Sequence, residues 1–274
     1  MNANDENYVL GYGGGAMDWM KSRTVEEHGA FLLPYLKPGQ SLLDCGCGPG
    51  SLTVGFAQIL NPGQVVGIDR ETEQLAAAKA YANQHNLNNL HFETGDVYDL
   101  PFDDACFDVV FCSAVLGSVS KPEQVVREMV RVLKQDGVIA MKEFDHGGDI
   151  VYPQTPKLTH SIELYQRIRT EHGHEQRAGR RLREWLTKNN CSIEHTHASF
   201  DQRTTNTGLY DYIDRNNRLV DEILATRYIE LGWATREDLD THALEWERFA
   251  RDPASLHASA WIDAVARKNT PTTE

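Results

Sequence analysis

Leu42-Leu43-Asp44-Cys45-Gly46-Cys47-Gly48-Pro49-Gly50 is the stretch whose reading decides the fold. An apolar run ends in three glycines at alternate positions, and a helical pattern starts at Ser51. A backbone that bends sharply and comes close to a ligand has no room for a Cβ, which is why glycine is used there. The helix that follows leaves free N–H groups at its first turn, able to hold a carboxylate or another polar group. A dinucleotide fingerprint would place its third glycine at position 51, where this chain has Ser51, so the spacing favours a different nucleotide.

Working outward, short apolar runs alternate with longer helical patterns from Ser41 to about Phe144, as expected of a parallel sheet covered by helices. The expected strands are Ser41–Cys45, Gln64–Asp69, Leu90–Thr94, Phe107–Cys112 and Val138–Phe144. Helices are expected at Ser51–Leu60, Glu71–His85 and Pro122–Leu133, each with apolar residues every three or four positions. Asn61-Pro62-Gly63 and Asp136-Gly137 supply turns between them. Gly179–Lys188 reads as a further helix and Ser192–Phe200 as a strand, followed by long amphipathic helical patterns. Residues 256–267 are assigned as a final strand, although their alanines also permit a helix. The division that follows is a lead-in and helix over the cleft (1–40), an α/β core (41–204), a helical insertion acting as a substrate lid (205–255), and a final strand and tail (256–274).

The chain has 274 residues, enough for one α/β domain with a sizeable insertion. Its net charge of -13 disfavours a nucleic-acid partner, whose phosphates require clustered Lys and Arg. No apolar stretch reaches the roughly 20 residues that span a bilayer, and the N-terminus lacks the pattern of a signal peptide, so no membrane partner and a cytoplasmic location are expected. Five cysteines in mostly apolar surroundings read as reduced, buried thiols. Cys45-Gly46-Cys47, His172-Gly173-His174 and His195-Thr196-His197 lack further ligands at metal-site spacing, so no metal is expected. A small-molecule substrate is expected, and a homodimer is the assembly expected if the chain associates.

Two further pieces carry chemistry. Val65-Val66-Gly67-Ile68-Asp69 ends in a carboxylate that can accept hydrogen bonds from both hydroxyls of a ribose, although as the residue before a helix it can equally be an N-cap. In Gly95-Asp96-Val97, Asp96 can accept from an exocyclic amine and Val97 offers a backbone N–H; alone, this is also an ordinary turn. All three pieces sit at the carboxyl ends of strands, where open parallel sheets bind ligands, and their coincidence is what argues for a nucleoside-sized crevice.

The ordered run DCGCGPG, VVGID, GDVYDLPFDDACFDVVFC and EMVRVLKQDGVIAM resembles the class I S-adenosylmethionine-dependent methyltransferases over roughly residues 20–145. Within that superfamily it is most similar to the broad group of ubiquinone and menaquinone C-methyltransferases. The resemblance implies an α/β Rossmann-like fold, a seven-stranded mostly parallel sheet with helices on both faces and an antiparallel last strand. It implies S-adenosylmethionine as cofactor and S-adenosylhomocysteine as product. It also implies that Asp44, Gly46, Gly48 and Gly50 hold the methionine moiety and Asp69 the ribose. Arg70 would lie beside the adenine, Asp96 and Val97 at the adenine edge, and Ser113 at the floor. Many relatives carry a histidine soon after the fourth strand; this chain has Leu116-Gly117-Ser118 there, so no base is carried over to that site.

Methyl transfer from a sulfonium is an in-line displacement that depends mainly on positioning and exclusion of water, with a general base optional. Candidate catalytic residues are His146, whose unperturbed pKa is the most suitable, and Tyr12. His146 precedes Gly147-Gly148 and also reads as a solvated loop histidine. Glu143, Tyr152, Tyr210 and Tyr212 are the candidates for substrate contact. The function expected is methyl transfer to a small, partly apolar or aromatic metabolite. Cyclisation or another non-methylating reaction with the same cofactor, or cofactor sensing without turnover, are the alternatives.

Overall fold

The computed structural model describes residues 14–203 and 206–270. Tyr12 lies outside the described residues. Two helices, α1 (Gly14–Ser22) and α2 (Val25–His28), lead into β1 (Leu42–Cys45), α3 (Ser51–Leu60), β2 (Val65–Asp69), α4 (Thr72–Asn83) and β3 (Leu90–Thr94). Next come β4 (Phe107–Ser113), α5 (Pro122–Val132), β5 (Leu133–Phe144) and the short β6 (Ile150–Tyr152). The remainder is α6 (Pro156–Glu171), α7 (Ala178–Lys188), β7 (Cys191–Arg203), α8 (Asn206–Leu219), a π turn at Val220–Leu224, α9 (Ala225–Glu230), α10 (Arg236–Arg251) and β8 (Leu256–Lys268).

The sheet runs β3-β2-β1-β4-β5-β8, with β7 also paired to β8. The first five strands are mutually parallel, and β8 is antiparallel to β5 and to β7. Beyond β5, β6 pairs with the start of β8, Ile150 opposite Ala258. This is the Rossmann-like arrangement with a reversed last strand. β1 and β4 are buried on both faces, which explains why LLDC and FDVVFCS are nearly continuous apolar runs rather than alternating ones. Successive residues point to opposite faces. Leu43, Val110 and Cys112 pack under α5 and α7 with Met129, Leu182 and Trp185, while Leu42, Val109 and Phe111 pack with Val25 and Phe56 on the other side.

The alanine-rich end of the chain is a strand because β5 and β7 flank it and satisfy its backbone on both edges, a pairing that outweighs local helix propensity. Two features differ from the sequence expectation. Asp136-Gly137 lies inside β5 as an irregularity, with Asp136 at φ 58°, and not before the strand; the β4–β5 register shifts between Phe107 and Val109. The segment after β6, to which the sequence reading gave no helix, is α6, opened by Pro156 and by the Thr155 hydroxyl accepting the Leu158 N–H at 3.3 Å.

That helix ties the insertion together. Leu164 and Ile168 of α6 pack with Leu224, Tyr228 and Leu239, and Leu158 packs with Leu209, Ile213 and Phe249. The helical layer is thus built from α6, α8, α9 and α10, two of its clusters being separate from the sheet's core. Among the described residues no helix is long and apolar enough to cross a membrane.

Candidate functional site

The bend after β1 is built as its glycines suggest, but the three serve different ends. All have positive φ: 72° at Gly46, 53° at Gly48 and 78° at Gly50. A Cβ at Gly46 would lie 2.4 Å from Val115 Cγ2, and one at Gly50 would lie 2.9 Å from both Ala78 and Phe92, so those two positions are closed by packing. At Gly48 a Cβ would meet nothing nearer than Met20 Sδ at 3.7 Å and Gln74 Oε1 at 3.9 Å. Gly48 is therefore the glycine whose missing side chain leaves room along the cleft.

Both acids converge on this bend. Asp69, at the end of β2, accepts the N–H of Gly48 at 2.9 Å and that of Glu71 at 3.0 Å, one on each oxygen. A carboxylate has about four lone-pair sites, so capacity remains for two hydroxyls. Burial raises the Asp69 pKa above its ordinary value. Asp44, at the end of β1, is buried and accepts the Thr53 hydroxyl at 2.7 Å. Burial pushes its pKa up to about 6, against the opposing effects of Thr53 and of the Arg23 charge.

Arg23 was not singled out from the sequence. It follows α1, donates to the Ser113 hydroxyl at the end of β4, and lies 5.1 Å over the Trp19 ring. Trp19 stacks in turn on Trp261 of β8 at 6.2 Å, and the Ser51 hydroxyl donates to the Met20 carbonyl at 2.8 Å, so α1 is fastened across the glycine bend. Gln74, on α4, was also missed. Its side chain is sealed from solvent, yet neither amide heteroatom has a hydrogen-bond partner among the described residues.

A single cavity of about 970 Å³ joins these groups to the helical layer. Asp44, Asp69, Arg70, Asp96, Val97 and Ser113 line one part of it. Asp96 accepts the Tyr98 N–H at 2.9 Å, which fixes the turn after β3, and Arg70 pairs with Glu71 at 3.2 Å. His146 and Tyr212 line the part bounded by α6, α8 and α10.

Three substrate candidates fare differently. Glu143 reaches the cavity wall, but its fully buried carboxylate accepts the N–H groups of Val115 and Leu116 at 2.8 Å each and of Gly117 at 3.3 Å, so it is committed to shaping the loop after β4. Tyr152 is 65 % exposed and stands outside the cavity, because alternation along β6 turns Val151 inward and Tyr152 outward. Tyr210 is likewise outside: Leu209, Tyr212 and Ile213 occupy the inner stripe of α8, and position 210 falls on the other side of the helix. Among the described residues no cluster of three or more His, Cys, Asp or Glu could hold a metal ion.

Residues 36–207 match the family model of a methyltransferase domain. An uncharacterized methyltransferase of Schizosaccharomyces pombe is 34 % identical over 184 residues, 65 % of this chain and 66 % of that protein. A ubiquinone/menaquinone biosynthesis C-methyltransferase of Vibrio parahaemolyticus is 33 % identical over 133 residues, 48 % of this chain and 49 % of that one. These matches span about half to two thirds of the relatives' length. Among solved structures, phosphoethanolamine N-methyltransferase 2 of Haemonchus contortus, in complex with S-adenosyl-L-methionine, superposes with a TM-score of 0.56 at 16 % identity, covering 93 % of this chain and 56 % of that one. At that identity the likeness speaks for the fold.

Proposed function

We propose, for a chain that belongs to the class I S-adenosylmethionine-dependent methyltransferase family, methyl transfer from S-adenosylmethionine to a small, partly apolar or aromatic metabolite. The observation that carries this reading is the continuity of the cavity, which runs from Asp44, Gly48 and Asp69 to the aromatic walls of the helical layer. When bound, the cofactor supplies an electrophilic methyl group on a sulfonium sulfur. Asp69 takes the ribose hydroxyls with the lone pairs left over from Gly48 and Glu71. Asp44 attracts the cationic end of the methionine moiety, and Arg23 stands beside it to face the carboxylate. Asp96 and Val97 face the adenine edge, with Arg70 alongside.

The helical layer of α6, α8, α9 and α10 serves as the substrate lid, since it closes the other side of the same cavity and so excludes water from the transfer. The charge of -13 suits a small-molecule acceptor better than a nucleic acid, and five free cysteines suit a reducing cytoplasmic compartment. Titration with S-adenosylhomocysteine in a calorimeter tests the cofactor site, and label transfer from methyl-labelled S-adenosylmethionine to a metabolite extract tests turnover. Binding followed by a labelled product is expected. Absence of binding overturns the reading, and binding without label transfer favours a sensor.

A further inference from the structure

At the end of β5 the cavity wall carries a histidine–carboxylate pair that cofactor binding leaves unused. His146 Nδ1 lies 2.8 Å from Asp149 Oδ2. The other Asp149 oxygen accepts the Ala260 N–H of β8 at 2.7 Å, which fixes the carboxylate to the sheet. The imidazole stacks on Phe144 at 5.2 Å between centroids and meets Tyr165 edge-on at 6.2 Å, while the His146 backbone N–H donates to Gln176 O at 3.0 Å. Its ring is thus held on several sides. Donation of Nδ1–H to a carboxylate selects the tautomer in which Nε2 is the proton acceptor. Both residues line the cavity that also holds Asp44 and Ser113.

The loop after β4 offers no competitor, since Leu116-Gly117-Ser118 contains no histidine and its backbone is tied to Glu143.

We propose that His146 is the general base of the reaction, that Asp149 is its positioning residue, and that the acceptor is a hydroxyl on a planar aromatic ring. This rests on the methyl-transfer reading above. Tyr165, Tyr212, Trp246 and His257 give that half of the cavity flat, apolar walls suited to a ring. A neutral amine already has a free lone pair, whereas a phenol, with a pKa near 10 like that of tyrosine, gains most from a base at this place. In the transfer, His146 Nε2 takes the hydroxyl proton as the oxygen forms its bond to the methyl carbon. The sulfur–methyl bond breaks with its electron pair left on sulfur, and the imidazolium, held by Asp149, returns its proton to solvent.

The test uses the full chain with S-adenosylhomocysteine bound. In ¹⁵N-labelled protein, His146 is expected as the Nδ1–H tautomer, and Asp149→Asn is expected to shift it toward Nε2–H; the opposite tautomer in the wild type, or no change in Asp149→Asn, overturns the positioning role. With methyl-labelled S-adenosylmethionine, catechol and aniline serve as acceptor probes. Label on catechol oxygen, lost about 10²–10⁴-fold in His146→Gln with unchanged S-adenosylhomocysteine affinity, is the expected result. Label on aniline alone, label on neither, or an undiminished rate in His146→Gln overturns the proposal. Failure of S-adenosylhomocysteine to bind overturns the underlying methyl-transfer reading instead.

Discussion

The Glu143 carboxylate, at the end of β5, accepts the backbone N–H of Val115, just beyond β4, at 2.8 Å. This bond and its neighbours to Leu116 and Gly117 hold a turn in which Ala114 has φ 61°. The same turn places Val115 against Gly46, so one buried acid links the loop after β4 to the glycine bend. Gly117 passes the connection on, its carbonyl accepting from Arg169 of α6 at 2.8 Å.

Glu143→Ala therefore leaves three backbone donors without their carboxylate acceptor at the cavity wall. A loss of about 2–4 kcal/mol is expected from urea unfolding, with Glu143→Gln losing less because its amide oxygen still accepts. Equal stability in the alanine variant and the wild type would contradict the structural role.

Gly46 and Gly48 separate packing from ligand space. In Gly46→Ala the new Cβ collides with Val115 and the backbone keeps a left-handed φ, so a loss of about 3 kcal/mol or more is expected. Gly48→Ala has only the backbone strain, about 1–2 kcal/mol, and should fold. Its affinity for S-adenosylhomocysteine should nevertheless fall at least tenfold by calorimetry, because the Cβ fills the cleft; unchanged affinity would move the cofactor elsewhere.

Asp44 should give the ligand-free protein a pH-dependent stability. Its folded pKa of about 6 lies above the ordinary value of 3.8, so between these pH values the folded chain holds more protons than the unfolded one. Stability then falls as pH rises through that window, by about 3 kcal/mol, and the loss is complete above pH 6. Asp44→Asn should flatten this part of the profile in denaturant titrations at pH 4 and pH 7. S-adenosylhomocysteine should bind the wild type more tightly as pH rises through 6, since the ionised acid attracts the ligand's ammonium group.

Gln74→Leu replaces a buried amide that has no hydrogen-bond partner among the described residues by an apolar group of similar size. A gain of about 1 kcal/mol in the ligand-free protein is expected, read as a higher Tm. A lower Tm would show that the amide is satisfied in solution by a bound water.

Legibility in the sequence followed the range of the interactions. Runs such as LLDC and VVGID are strands because they are short, apolar and bounded by glycine or acid, and all of that information is local. The same holds for the glycine bend and for Asp44 and Asp69, whose positions at strand ends follow from the strands. The helix at 156–171 went unread because its buried residues, Leu158, Leu164 and Ile168, face other helices of the lid, and its inner stripe is thin and interrupted by polar residues. Tyr152, Tyr210 and Tyr212 are alike as residue types; only the alternation of β6 and the phase of α8 separate the one that lines the cavity from the two that do not.

The sequence by itself determined the order of strands and helices through β5, the glycine bend, and the pair of acids that follow it, because each depends on neighbours a few residues away. Tertiary structure alone decided that the last strand lies between β5 and β7, that Glu143 serves the loop after β4, and that the Ala260 N–H of β8 fixes the carboxylate of Asp149 beside its near neighbour His146. Those outcomes depend on backbone pairing and on burial contributed by segments distant in the chain, and no local pattern of residues encodes which distant segment arrives.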